Sequence, residues 1–166
     1  MEELISEKEI KAKVKALAKE ISRDYEGRTP ILIGVLNGSF IFMADLVREL
    51  TIDCEVDFIK ISSYDGTESS GTVHLLKDIS ADITGRHVII VEDIVDSGLT
   101  MRFLRQRLAG ADPASISVVT LLFKKEVAKL NFELDYVGFE IPPDYVVGYG
   151  LDYNQKMRNL KSVFRL

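Results

Sequence analysis

One cysteine, Cys54, stands in the 166 residues, so no intrachain disulfide can form. Cys54 then reads as a small buried or half-buried side chain. No apolar run approaches the ~20 residues that a membrane-spanning helix needs. The N-terminus, MEELISEKEIKAK, is charged and lacks the apolar core of a secretory signal. A cytoplasmic protein is the resulting expectation, with no membrane partner. Positive charge is short as well. Lys and Arg number 21 against 26 Asp and Glu, a net charge of −5, which argues against a general nucleic-acid surface. Repeats, low-complexity tracts and interdomain linkers are all missing. A single domain over 1–166 with a sizeable core follows. Apolar content of 46% and charged content of 28% are those of a soluble globular chain.

What is present is an alternation of helix and strand patterns. Ile10, Val14, Leu17 and Ile21 recur at helical spacing within residues 6–25, and Ser6 with Glu9 forms a capping-box pattern. Pro30 precedes a buried-strand run, ILIGVL (31–36). Asn37-Gly38-Ser39 makes a tight loop before a helical stretch at 40–50. Strand patterns at 54–64 and 72–79 flank the small polar tip DGTESSG, as in a hairpin with a long tip. SISVVTLLFK (115–124) is a further buried strand. Residues 131–149 supply two short strands around Ile141-Pro142-Pro143. Residues 1–29 are expected to add only a helix. The fold class is α/β: a mostly parallel central sheet flanked by helices, with a hairpin and a small appended subdomain over the last thirty-odd residues.

Residues 88–100, VIIVEDIVDSGLT, carry the most chemistry. Val88 to Val91 suit a strand covered on both faces, and the strand is expected to end at Glu92 and Asp93. Ligands of open α/β sheets bind beyond such strand ends. Two adjacent carboxylates can each accept from vicinal hydroxyls. Ser97, Gly98, Leu99 and Thr100 offer backbone N–H groups and two hydroxyls. Leu99, Phe103, Leu104 and Leu108 then set a helix, whose N-terminus attracts phosphate. An acidic side chain at Asp96 is an odd choice for holding phosphate, since like charges repel. Proton transfer accounts for it better than anion binding.

This thirteen-residue string resembles the phosphoribosyl pyrophosphate (PRPP) signature of type I phosphoribosyltransferases. The resemblance implies that Glu92 and Asp93 hold the ribose hydroxyls and that residues 97–100 hold the 5′-phosphate. Matches from about residue 30 to residue 160 narrow it to the hypoxanthine-guanine branch. There, the Leu36-Asn37-Gly38 loop meets pyrophosphate, with a cis peptide at Leu36–Asn37. Relatives often have Lys at the position of Asn37. Arg158 is a further pyrophosphate contact. Ser63, Tyr64 and the polar tip after them resemble a lid. Lys124 resembles the lysine that donates to O6 of a 6-oxopurine. From YVGFEIP (136–142) the resemblance implies that Tyr136 is the stacking aromatic and that the backbone of Val137 reads the purine edge, with the carbonyl of Pro143, just beyond, able to accept from a guanine amino group.

The implied reaction joins PRPP and a 6-oxopurine, giving a nucleoside monophosphate and pyrophosphate, with Mg²⁺ as cofactor and Asp96 as general base. Glu92 and Asp93 would reach the metal through ribose hydroxyls or water. Pro143 stands where relatives carry a metal-placing Asp, so Asp144 is the available substitute. Relatives form homodimers or homotetramers. Two alternatives remain at this level: a xanthine-preferring phosphoribosyltransferase and a non-catalytic PRPP-sensing regulator.

Overall fold

The structure is a computed structural model that describes residues 1–64 and 72–166. A short strand, β1 (Glu2–Ile5), opens the chain. Ser6 then starts α1 (Glu7–Asp24). Its hydroxyl accepts from the Glu9 N–H at 3.1 Å, and the Glu9 carboxylate accepts from the Ser6 N–H at 3.0 Å. This reciprocal pair satisfies donors that a helix start leaves free. The expected apolar stripe of Ile10, Val14, Leu17 and Ile21 is buried.

The main sheet follows in the predicted order. Its elements are β2 (Ile31–Leu36), α2 (Phe40–Glu49), β3 (Glu55–Tyr64), β4 (Thr72–Lys77), β5 (His87–Val95), α3 (Leu99–Ala109), β6 (Ser115–Phe123) and β7 (Tyr136–Glu140). The strand order is β4-β3-β2-β5-β6-β7. All pairs are parallel except the β3–β4 hairpin. Ser63 and Tyr64 end β3 opposite Val73 and Thr72. The tip at residues 65–71, on which the lid reading rests, lies outside the described residues. One face of the sheet packs Leu32, Ile89 and Val91 against α1 and α2. The other packs Ile31, Ile33 and Ile90 against Met101, Leu104 and Leu108 of α3. Burial on both faces is why these strands read as unbroken apolar runs. Among the described residues, no helix is long and apolar enough to cross a membrane.

Two expectations need correction. First, β5 does not stop at the acidic pair but runs on to Val95. Its pairing with β2 ends at Gly34 opposite Val91, whereas β6 stays beside it to Phe123 opposite Val95. The acids therefore sit inside a strand that has lost one neighbour. Second, the first 29 residues add a strand as well as a helix. β1 joins β8 (Val146–Val147) and β9 (Val163–Arg165) in a second, antiparallel sheet of order β1-β9-β8. The segment EELI has no local strand signal. Its pairing comes from β9, at the other end of the sequence, and such tertiary pairing overrides propensity.

The capping box gives a direct stability test. Ser6→Ala removes the side-chain acceptor and should cost ~1 kcal/mol. In a chain of this size that reads as a fall in Tm of about 2–4 °C. An unchanged Tm in thermal unfolding would show that the cap contributes nothing.

Candidate active site

Parallel pairing brings the carboxyl ends of β2, β5, β6 and β7 to one edge of the sheet. A cavity of ≈ 480 Å³ opens there. It is lined by Val35 and Leu36 at the end of β2, by Gly38 after it, by Glu92 to Val95 of β5, and by Asp96 to Thr100 on the way into α3. Thus the structure gathers both acids, the phosphate-loop residues and part of the expected pyrophosphate loop around one space.

Loop geometry follows from the residues. Gly98 adopts φ +96, and a Cβ there would sit 2.8 Å from the Lys129 carbonyl oxygen. Only glycine meets both demands. No side chain caps the start of α3, so its first N–H groups are left for a ligand, apart from a long 3.4 Å contact from the Leu99 N–H to the Ser97 hydroxyl. On the opposite wall the Leu36–Asn37 peptide is cis, where the resemblance placed it. Gly38 has no space for a side chain, since its Cβ would lie 2.0 Å from Asp93 Oδ2. Asn37 is exposed beside it.

Glu92 and Asp93 are 6% and 9% exposed. Burial pushes the Glu92 carboxyl well above its usual range, and the adjacent Asp93 charge adds to that. Burial also raises Asp93, against the opposing pull of hydrogen bonds, including one from the Ile94 N–H, and of the Arg158 charge. Bound hydroxyl donors or a cation would favour the charged forms. Among the described residues, no group of three or more His, Cys, Asp or Glu forms a metal cage. Mg²⁺ does not require one. It typically takes one or two carboxylates and completes its shell with phosphate and water. A buried, charge-crowded carboxylate pair at the mouth of an anion-binding loop fits such an ion.

At the far side Lys124, 8% exposed, donates to Asp96 Oδ2 at 2.9 Å. The Asp96 side chain is 59% exposed. A buried ammonium and an open carboxylate thus stand together at the rim. Arg158 acts on the site through its charge, which pulls the Asp93 carboxyl downward. Its Nη1 donates to the Gly150 carbonyl at 2.7 Å, and it ion-pairs with Asp152 at 3.6 Å. The neighbouring Lys125 points instead to Glu140, at 3.9 Å.

Three sequence assignments do not fit. Tyr136 and Val137 open β7 opposite Val119 and Thr120, at the end of the sheet away from the cavity. Four to five residues of strand, roughly 15 Å, separate Tyr136 from the level of Lys124. The Tyr136 hydroxyl donates to Asp24 at the end of α1 (2.6 Å), and Val137 borders a different hollow against α1. Asp144 is tied to Arg165 of β9 at 2.8 Å, a structural pair within the small sheet. Pro143 is exposed in the turn that leaves β7.

That turn leads to residues the sequence reading missed. Tyr145 is 57% exposed, packs edge-to-face on Tyr153 with ring centroids 6.1 Å apart, and lies four residues beyond Ile141, whose N–H donates to the Phe123 carbonyl next to Lys124. Its hydroxyl reaches the Asp152 carbonyl at 3.4 Å. The signal was in the sequence: Tyr-Val occurs twice, at 136–137 and at 145–146. Only the second pair follows a Pro-Pro turn that carries the chain out of the main sheet.

Comparison with known proteins gives a consistent answer. A family profile described as the phosphoribosyl transferase domain matches residues 1–154. The chain is 46% identical over 161 residues to a hypoxanthine-guanine phosphoribosyltransferase of Streptococcus pneumoniae, covering 96% of this chain and 89% of that protein. A protein of the same name from Aquifex aeolicus is 45% identical over 163 residues, covering 97% and 92%. Among solved structures, a hypoxanthine-guanine phosphoribosyltransferase of Bacillus anthracis superposes with a TM-score of 0.95 at 47% identity, covering 100% of this chain and 98% of that one. With the acid pair, the phosphate loop and the cis-peptide loop gathered at one sheet edge, this chain belongs to the phosphoribosyltransferase family.

Proposed function

We propose that this protein is a purine-salvage enzyme that transfers the 5-phosphoribosyl group of PRPP to hypoxanthine, and to guanine, releasing pyrophosphate and IMP or GMP. The observation that carries this reading is the Lys124–Asp96 pair, set on the rim of the cavity that holds Glu92, Asp93 and the phosphate loop. One end of the site suits a sugar phosphate, and the other presents a donor and an acceptor to a planar base.

The residues divide the work. The N–H groups and hydroxyls of Ser97 to Thr100 anchor the 5′-phosphate, and that remote binding energy positions C1′. Glu92 and Asp93 accept from the ribose hydroxyls, and their charge favours a ribosyl centre that becomes cationic as its bond to pyrophosphate lengthens. Gly38 and Arg158 meet the departing pyrophosphate. Mg²⁺, when bound, neutralises the diphosphate charge. Asp96 takes the N7 proton of the base as N9 forms its bond to C1′, and the electron pair of the broken C1′–O bond leaves with pyrophosphate. Lys124 donates to O6, and an ammonium cannot accept from a 6-amino group. Tyr145 supplies the stacking face in place of Tyr136, because it is an exposed aromatic that follows directly from the end of β7 beside Lys124.

Steady-state assays with PRPP and Mg²⁺ should show turnover of hypoxanthine and guanine with release of pyrophosphate, and none of adenine. Efficient AMP synthesis would contradict the role of Lys124. Preference for xanthine would shift the substrate class, and loss of all four activities would favour a PRPP-binding regulator. Asp96→Asn should lower kcat by ~10²–10⁴-fold if a general base is lost. A kcat within a few-fold of wild type would remove Asp96 from that role.

The acid pair also predicts a pH dependence of the ligand-free protein. Glu92 has a folded-state pKa raised above its ordinary value of 4.5. Its stabilising protonated form is fully present below that ordinary value and is lost as pH rises through the folded one. Thermal unfolding without ligand should therefore show Tm falling as pH climbs above the ordinary glutamate value of 4.5. Glu92→Gln should flatten that fall and leave the variant more stable than wild type at the upper end of the range. A wild-type Tm that rises over this window would overturn the electrostatic account.

A further inference from the structure

The turn at residues 148–151 holds a side chain where a glycine would be expected. Gly148 and Leu151 exchange two backbone hydrogen bonds of 3.0 Å, which leaves Tyr149 and Gly150 as the central residues. Both have positive φ, +49 and +100. Asn, Asp or Gly is the usual occupant at the first of these positions, because a Cβ crowds the left-handed backbone. A tyrosine kept there, only 6% exposed, points to a requirement for the side chain.

The hydroxyl shows what it does. It donates to Asp45 Oδ2 of α2 at 2.5 Å. That single bond ties the turn to the helix that begins directly after the Leu36–Ser39 loop. The next residue, Gly150, lies against that loop, since a Cβ at Gly150 would sit 2.3 Å from the Gly38 carbonyl oxygen. Gly38 presses in turn on Asp93, as described above. Gly150 also fixes Arg158 twice: its carbonyl accepts from Nη1, and its N–H donates to the Arg158 carbonyl at 2.9 Å. Tyr149 thereby links α2 to Gly150, alongside its own N–H bond to the Leu160 carbonyl at 2.8 Å, and Gly150 is in contact with both the loop and the arginine at one end of the cavity. None of these contacts involves Lys124 or residues 97–100.

We infer that Tyr149, through its bond to Asp45, is a positioning residue for the pyrophosphate end of the site. This rests on the phosphoribosyl-transfer reading and adds a residue that touches no substrate. Loss of the hydroxyl lets the turn shift relative to α2, and the error passes to Gly38 and Arg158 but not to the base-binding rim.

Tyr149→Phe removes one oxygen and retains the ring. Expected are rises of about three- to tenfold in KM for PRPP and in the inhibition constant of pyrophosphate, with KM for hypoxanthine and kcat within about twofold of wild type. Asp45→Ala should reproduce the pattern, Asp45→Asn, which keeps an acceptor, should largely restore it, and the double variant Tyr149→Phe/Asp45→Ala should be no worse than either single one. A PRPP KM within about twofold of wild type, or equal rises for both substrates, overturns the proposal. If Tyr149→Phe does not fold, the Ala and Asn variants at Asp45 read the same contact. Wild-type turnover in the same assay tests the function itself. Should that be absent, calorimetric titration of pyrophosphate into wild type and Tyr149→Phe still decides whether the bond shapes an anion site.

Discussion

The site exists because β5 is longer than the neighbour on one of its sides. β6 accompanies it to Val95, but β2 leaves after Gly34 and turns into the Leu36–Ser39 loop. Glu92 and Asp93 consequently keep a strand's rigidity on one flank while the other opens to ligand. A carboxylate pair on a free loop would move apart to relieve its repulsion. Here the backbone hydrogen bonds to β6 prevent that, so the repulsion and burial remain as a standing preference for hydroxyl donors or a cation. The cavity, the loop that faces it and the turn that supports the loop all depend on that difference in strand length.

The same difference explains the glycines. Gly38 and Gly150 form successive layers over Asp93, each with no room for a Cβ. Backbone approaching a carboxylate this closely can present N–H groups to an anion without a side chain intervening. Gly98 does the corresponding job at the other wall, under a different constraint: its φ is positive and Lys129 lies against it. The two walls proposed to hold anions are therefore lined by close-packed main chain. The charged side chains, Arg158, Lys124 and the three Asp/Glu of β5 and its loop, are held for the parts of the ligand that react or are discriminated.

Much of this was legible in the sequence, for identifiable reasons. Buried parallel strands carry apolar runs, so β2, β5 and β6 were placed within a residue or two, and the capping box marked the start of α1. The phosphate loop and acid pair lie on one continuous stretch, and contiguous chemistry needs no tertiary information to be seen. The failures share a cause. β1 pairs with β9 across most of the chain's length, and nothing in EELI by itself encodes that. Tyr136 and Tyr145 carry the same Tyr-Val pair, and the choice between them depends on which end of a parallel strand each occupies. Asp144 is adjacent to the right turn, but its partner Arg165 comes from β9. Register and long-range pairing, rather than residue type, decided each of these.

Base selection can be argued from the pair at the rim. Lys124 and Asp96 satisfy one another. Asp96 is mostly open to solvent, so water can take the place of Lys124 beside it when a base enters. The two partners then face different consequences. Asp96, if left alone, is hydrated. Lys124 is buried, and its ammonium must find an acceptor or remain an uncompensated charge, which costs several times more. A 6-oxo group provides that acceptor and a 6-amino group provides a donor. If Lys124 meets position 6 of the base as proposed, the discrimination would reside in the penalty on the buried partner, as it does wherever a site built to hydrogen-bond one group rejects the analogue that lacks it.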